Sequence, residues 1–145
     1  MVKQPNIEEG VEFSPRFDSL GLIPAIAQDA KTGQILMVAY MNKEALEETI
    51  RCGRAVYYSR SRGRLWRKGE ESGHVQKVEQ ILVDCDQDCL VLKVSVGQGQ
   101  CHTGHYSCFY RALREGLGQE LEFIAGPAFD PRDVYKRGLG DNKGK

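Results

Sequence analysis

The sequence predicts an α+β fold, a single compact domain rich in antiparallel β-strands with one or two short helices. Three observations carry that reading. The 145 residues fit one domain and leave no room for a second of ordinary size. Apolar residues gather in short runs bounded by turn residues, and one stretch has helical spacing with capping residues at both ends. Hydrophobic residues make up 41% and charged residues 28%, so a core can form and global disorder is excluded.

Residues 1–20 carry Pro5, Pro15 and several acids without sustained periodicity, and read as a loosely packed N-terminal arm. Residues 21–125 make the domain. Stretches 22–28 and 34–40 read as strands joined by the turn Asp29-Ala30-Lys31-Thr32-Gly33, with Pro24 placing the first strand at a sheet edge. Asn42 caps a helix over 43–52, with Ala45, Leu46, Thr49 and Ile50 as its buried stripe and Gly53 as its stop. Strands over 55–59 and 65–67 flank the turn Ser61-Arg62-Gly63, and a polar loop, 69–73, follows. Strand 75–83 has mixed alternation. Strand 90–96 is cleaner: Leu90, Leu92, Val94 and Val96 share one face, and Gly97-Gln98-Gly99 ends it. Strands over 106–112 and 121–124 complete the set. Residues 126–145, with Pro127 and Pro131, read as a tail with at most one short helix, frayed from Gly138.

The longest apolar run, residues 35–41, is seven residues, too short for a membrane span, and the N-terminus lacks the apolar stretch of a signal peptide. The expectation is a cytoplasmic protein with no membrane partner. Twenty basic and twenty acidic residues balance, so bulk charge points to no polyanionic partner. The distribution says more. Residues 51–77 hold eight bases (Arg51, Arg54, Arg60, Arg62, Arg64, Arg67, Lys68, Lys77) against Glu70 and Glu71. Residues 78–110 set Lys93 alone against Glu79, Asp84, Asp86 and Asp88. Such a division suits a site that grips phosphate at one end and a metal at the other; the plainer alternative is a solvated basic face.

The five cysteines, Cys52, Cys85, Cys89, Cys101 and Cys108, are odd in number and lack a secretory context, so metal binding explains them better than a disulfide framework. In Asp84-Cys85-Asp86-Gln87-Asp88 an extended backbone would throw the three aspartates to one side and Cys85 to the other. Hard oxygen ligands favour Mg²⁺, and the soft Cys85 would serve a different metal. Cys101 and Cys108 flank a glycine-containing loop. With Cys85 they supply three thiolates, and three protein ligands with an open fourth position form a catalytic zinc site that lowers the pKa of bound water toward about 7. His102, beside a ligand, is the candidate for proton transfer, whereas His74 and His105 read as structural. Cys85, Cys89, Cys101 and Cys108 also allow a closed structural site, and a zinc-stabilised nucleic-acid-binding module using the basic block is the alternative function. A third element runs from Leu65 to Gln76. Here Gly69 and Gly73 permit close backbone approach, Lys68 and Ser72 suit a phosphate, and Trp66 suits stacking on a ring.

Taken together, several strings resemble the phosphoribosyl-AMP cyclohydrolase family over residues 20–112. They are Val38-Ala39-Tyr40-Met41-Asn42, Tyr57-Tyr58-Ser59-Arg60-Ser61-Arg62, Leu65-Trp66-Arg67-Lys68-Gly69-Glu70 with Ser72-Gly73, Asp84-Cys85-Asp86-Gln87-Asp88, and Cys101-His102-Thr103-Gly104 with Ser107-Cys108-Phe109. The resemblance implies an intertwined homodimer with active sites at the subunit interface. It implies one Zn²⁺ per subunit, held by Cys85 of one chain and Cys101 and Cys108 of the other. It also implies one Mg²⁺ per subunit, held by Asp84, Asp86 and Asp88. Cys52 and Cys89 would be spectators. Arg60, Arg62, Trp66, Lys68, Gly69, Glu70, Ser72 and Gly73 become the substrate-binding candidates and His102 the catalytic one. The implied reaction is hydrolytic opening of the adenine ring, at N1–C6, of 1-(5-phosphoribosyl)-AMP by zinc-activated water. It yields the phosphoribosyl-formimino carboxamide ribotide intermediate of L-histidine biosynthesis, with no nucleic-acid partner. Zinc nucleobase deaminases use similar attack but carry H-x-E with P-C-x-x-C, and neither string occurs here. Some family members carry a fused pyrophosphohydrolase domain; the stretch after Ala112 is too short for it, so the single activity is expected.

Overall fold

An extended segment satisfies its backbone N–H and C=O groups only when another strand lies beside it, and the chain meets that need first with a hairpin. The computed structural model describes residues 7–97, 103–115 and 119–126. It places strand β1 at Ile23–Asp29 and β2 at Ile35–Met41. Asp29 builds the turn between them: its Oδ1 accepts from the Lys31 and Thr32 N–H groups at 2.8 and 3.3 Å. Along β1 the side chains of Ile23, Ala25 and Ala27 are fully buried on one face.

Helix α1, Lys43–Cys52, follows because Asn42 caps it, its side chain accepting from the Ala45 N–H at 2.8 Å, and Gly53 ends it in the left-handed conformation. Ala45, Leu46 and Thr49 are buried, but Ile50, expected in the same stripe, is 55% exposed. Successive helical residues advance by about 100°. Ala45, Thr49 and Leu46 therefore span one arc against the sheet, and Ile50 lies past its edge.

Strands β3 (Val56–Ser59), β4 (Arg64–Arg67), β5 (Lys77–Val83) and β6 (Leu90–Ser95) complete a six-stranded sheet in the order β4-β3-β2-β1-β6-β5. Its neighbours are antiparallel except β1 and β6, which run parallel from Ala25 opposite Leu90 to Asp29 opposite Val94. Hairpin turns specify only antiparallel neighbours, so this pair is a product of the tertiary arrangement. Leu90, Leu92 and Val94 are fully buried, and a strand with so apolar a face takes a central place. The same pairing overturns the expectation for Pro24. β1 is central, and Pro24 stands one residue before the first β1–β6 pair, where no ladder bond to β6 has begun.

The strand expected over 106–112 forms only at Arg111–Leu113 (β7), which pairs with β8 (Leu121–Phe123) in a separate two-stranded sheet. The preceding loop is bent because it bonds to β2: the Cys108 N–H donates to the Leu36 carbonyl at 2.7 Å, and Ser107 Oγ donates to the Ile35 carbonyl at 2.7 Å. No helix among the described residues is long and apolar enough to cross a membrane. Gln98, Gly99, Cys101, His102 and residues 127–145, on which parts of the sequence reading fall, lie outside the described residues.

Candidate active site and metal centre

The turn between β5 and β6 carries the acidic string. It is a turn and not the extended stretch that period-two geometry predicts. The Gln87 N–H donates to the Asp84 carbonyl at 3.0 Å, and Asp84 Oδ1 accepts from the Asp88 and Cys89 N–H groups at 2.9 and 3.1 Å. Gln87 takes a left-handed φ of 58°. A hairpin must reverse within these few residues, and Asp84 uses its side chain to close it. The turn still gathers the aspartates, with one carboxylate oxygen each from Asp84, Asp86 and Asp88 within 4.8 Å of one another.

That proximity sets the charges. Hydrogen bonding with the Asp86 and Asp84 carboxylates, reinforced by desolvation and their negative charge, pushes the Asp88 carboxyl up to about 6. Desolvation also acts to raise Asp84, but hydrogen bonds from the Asp88 side chain and from the Asp88 and Cys89 N–H groups bring it below its ordinary value. Three carboxylates that bring one oxygen each this close fit a hard divalent cation. Beside it, Asp84, Cys85 and Gln87 line one side of a cleft of about 280 Å³, and residues of the N-terminal segment line the other.

A second cleft, about 350 Å³, lies over the β4–β5 loop. Of the substrate-binding candidates, Arg62, Trp66, Lys68, Gly69, Glu70 and Ser72 line it, and Cys108 faces it. Cys108 reaches this position because Ser107 and Cys108 bond to the backbone of β2, whose Met37 also lines the cleft. Trp66 packs on the buried ring of Tyr57, centroids 5.0 Å apart, and the Tyr57 hydroxyl donates to Gln76 Oε1 at 2.6 Å. Burial pushes the Tyr57 phenol up, so this support stays neutral. Gly69, at φ +93°, has the Val75 backbone nitrogen 2.6 Å from where a Cβ would stand, so no other residue fits without displacing the loop. Glu70 fixes the loop's near end: its Oε1 accepts from the Arg67 N–H at 2.8 Å.

Two candidates stand elsewhere. Arg60 lies over the Tyr40 ring, 4.2 Å from its centroid, and Gly73 is outside the cleft lining. Cys101 and His102 lie outside the described residues. His105 is buried, with Nδ1 3.0 Å from Thr103 Oγ1 and its ring stacked on Tyr110 at 3.6 Å, as a structural histidine would be.

Three lining residues, Met37, Arg67 and Glu71, were not singled out from the sequence. Arg67 carried a signal as part of the basic block; Met37, inside an apolar run, carried none. Arg67 is held from behind by Glu48 of α1, which accepts from Arg67 Nη2 at 2.9 Å and from Arg51 Nε at 2.9 Å. Those bonds, from Arg51 first and then Arg67, bring the Glu48 carboxyl down to about 2. The stabilisation is therefore complete above the ordinary carboxylate pKa and is lost as pH falls toward 2. Glu48→Gln is expected to lower the melting temperature slightly above pH 5, because solvent screens such a pair. The difference from wild type should vanish near pH 2. Scanning calorimetry across that range checks it, and an equal difference at both ends would refute it.

The family model for phosphoribosyl-AMP cyclohydrolase matches residues 37–110, a span that includes the cleft loop, the aspartate turn and Cys108. A Bordetella parapertussis protein named phosphoribosyl-AMP cyclohydrolase is 62% identical over 123 residues, covering 83% of this chain and 91% of that one. One of the same name from Nitrobacter hamburgensis is 53% identical over 137 residues, covering 92% and 93%. Another, from Methanococcoides burtonii, is 55% identical over 120 residues, covering 83% and 94%. The family model spans both the β4–β5 loop and the acidic turn, and with relatives at these identities the chain belongs to the phosphoribosyl-AMP cyclohydrolase family of hydrolases.

Proposed function

We propose that the protein opens the adenine ring of 1-(5-phosphoribosyl)-AMP by hydrolysis at N1–C6, in L-histidine biosynthesis, as a cytoplasmic homodimer that uses Zn²⁺ and Mg²⁺. The observation that carries the reading is the cleft itself. It sets three cations, Arg62, Arg67 and Lys68, and an aromatic ring, Trp66, around the same space as the Cys108 thiol. A nucleotide bearing phosphates and a purine needs that combination: charge-assisted bonds for the phosphates and a flat face for the ring.

Zinc held by Cys85, Cys101 and Cys108 supplies, when bound, a water of lowered pKa as nucleophile. The chain's own groups do the rest. Lys68 and the two arginines hold the phosphates, Trp66 orients the purine, and His102, next to Cys101 in sequence, delivers the proton that lets the N1–C6 bond part. N1-alkylation leaves C6 electron-poor, so the ring opens and the nitrogen is retained in a carboxamide. Mg²⁺ on Asp84, Asp86 and Asp88 offsets anionic charge near the substrate.

Two features favour a dimer with a shared site. Cys85 lines the cleft beside the N-terminal segment, and Cys108 lines the other. The β7–β8 region also exposes Phe109, Leu113, Leu121, Phe123 and Ile124, an apolar set suited to a second copy.

Incubation with phosphoribosyl-AMP is the direct test: loss of the purine absorbance with retention of all ring nitrogens is expected, and release of ammonia would refute ring opening. The two metals separate on chelation. Mild chelator should remove Mg²⁺ first, because oxygen ligands hold it weakly, and leave a folded, inactive, zinc-loaded protein that added Mg²⁺ restores. Asp86→Asn should raise the Mg²⁺ concentration required for activity at unchanged zinc content. Zinc loss with an unchanged Mg²⁺ activation curve would instead make the aspartates supports of the zinc ligands.

A further inference from the structure

We propose that Gln87 is a positioning residue of the aspartate turn, which it staples to the N-terminal segment 12–16 and thereby holds in its cation-binding shape. The inference rests on the reading of Asp84, Asp86 and Asp88 as a cation site and goes beyond it by making the N-terminal segment part of that site.

One residue supplies three bonds to the segment. The Ser14 N–H donates to Gln87 Oε1 at 2.7 Å, Gln87 Nε2 donates to the Glu12 carbonyl at 3.1 Å, and the Arg16 N–H donates to the Gln87 carbonyl at 2.7 Å. The amide thus satisfies its acceptor and a donor on main-chain atoms, and Gln87 is only 7% exposed although it sits in a surface hairpin. Its backbone deepens the point. Among the described residues Gln87 is the only non-glycine with positive φ, at 58°. Glycine adopts that conformation more easily, so a side chain is kept there against backbone preference, as happens where surrounding contacts over-determine the geometry. The segment is itself anchored. Phe17 packs against the hydrophobic core, and Asp18 Oδ1 accepts from the Leu20 and Leu22 N–H groups at 2.8 and 2.9 Å. The staple therefore ties the turn to the core by a second route besides β5 and β6.

The turn needs that tie because three carboxylates within 4.8 Å repel one another until a cation joins them. Gln87 lies between Asp86 and Asp88, so holding its backbone holds both neighbours facing Asp84. A ligand set ordered before binding takes the metal more tightly than one the metal must gather. The segment that reaches Gln87 also walls the cleft beside Asp84 and Cys85, with Val11 and Phe13 opposite them.

Gln87→Gly tests the idea, since glycine keeps the left-handed turn and the main-chain bond to Arg16 and removes the two side-chain bonds of the staple. With the full-length protein and Mn²⁺ as the probe, followed by electron paramagnetic resonance, the variant should bind about tenfold more weakly, for loss of hydrogen bonds that order the site. Trypsin should cleave after Arg16 faster than in wild type. A variant lacking residues 2–16 should show at least the same weakening, and adding Gln87→Gly to it should weaken binding no further, because the truncation already removes both side-chain bonds. If Gln87→Gly fails to fold, the truncated variant alone decides. Wild-type Mn²⁺ affinity in the glycine or truncated variant overturns the proposal, whether or not trypsin cleavage accelerates, and so does additivity of the two changes. If wild type itself binds Mn²⁺ no better than Asp86→Asn, the cation reading fails and takes the staple's role with it; wild-type binding that Asp86→Asn weakens and Gln87→Gly does not refutes the staple alone.

Discussion

Cys101→Ala and Cys108→Ala are each expected to lose zinc and to lose turnover by more than about 100-fold, since removing even the partners of metal ligands costs 10–100-fold. Cys89→Ala should leave both nearly intact. The contrast has a physical basis in the described residues. Cys108 is exposed at the cleft over the β4–β5 loop, whereas Cys89 is half-buried behind the aspartate turn. Desolvation first, and then the charges of Asp84 and Asp88, push the Cys89 thiol up. Zinc content by mass spectrometry alongside the activity assay checks the set. Stoichiometric zinc loss in Cys89→Ala would replace the open three-thiolate site with a closed four-thiolate one.

Mixing inactive Cys85→Ala with inactive Cys101→Ala under conditions of subunit exchange should restore activity to about a quarter of wild type. If each zinc takes Cys85 from one chain and Cys101 and Cys108 from the other, a mixed dimer has one site built wholly from unmutated ligands and one site lacking two. Random exchange makes half the dimers mixed, each with one good site of two. Exchange is followed independently with a mass-labelled chain. No recovery despite complete exchange would put all three thiolates in one subunit and remove the reason for an interfacial site.

Much of the architecture is local chemistry, which is why the sequence alone carries it. Asn42 and Gly53 bracket α1 because an amide side chain caps orphan N–H groups and glycine accepts a left-handed backbone. The turn of Asp29 and Gly33, the alternation of Leu90, Leu92 and Val94, and the gathering of three aspartates within five residues are likewise set by neighbours along the chain. The cleft-lining stretch is contiguous for the same reason: Trp66 in β4 and Lys68, Gly69, Glu70 and Ser72 in the loop after it are close in sequence, so wherever it folds they travel together. What only the tertiary structure decided are relations between distant segments. The parallel pairing of β1 with β6 centres Pro24. Met37 and Glu48 serve the cleft through packing that crosses β2 and α1. The aspartate string curls into a turn because β5 and β6 must pair antiparallel on either side of it, and Gln87 can hold that turn only because residues 12–16 pass over it. Side-chain period and turn preference act over a few residues, whereas strand order and cleft lining depend on which faces must be buried together, and that is settled only when the whole sheet assembles.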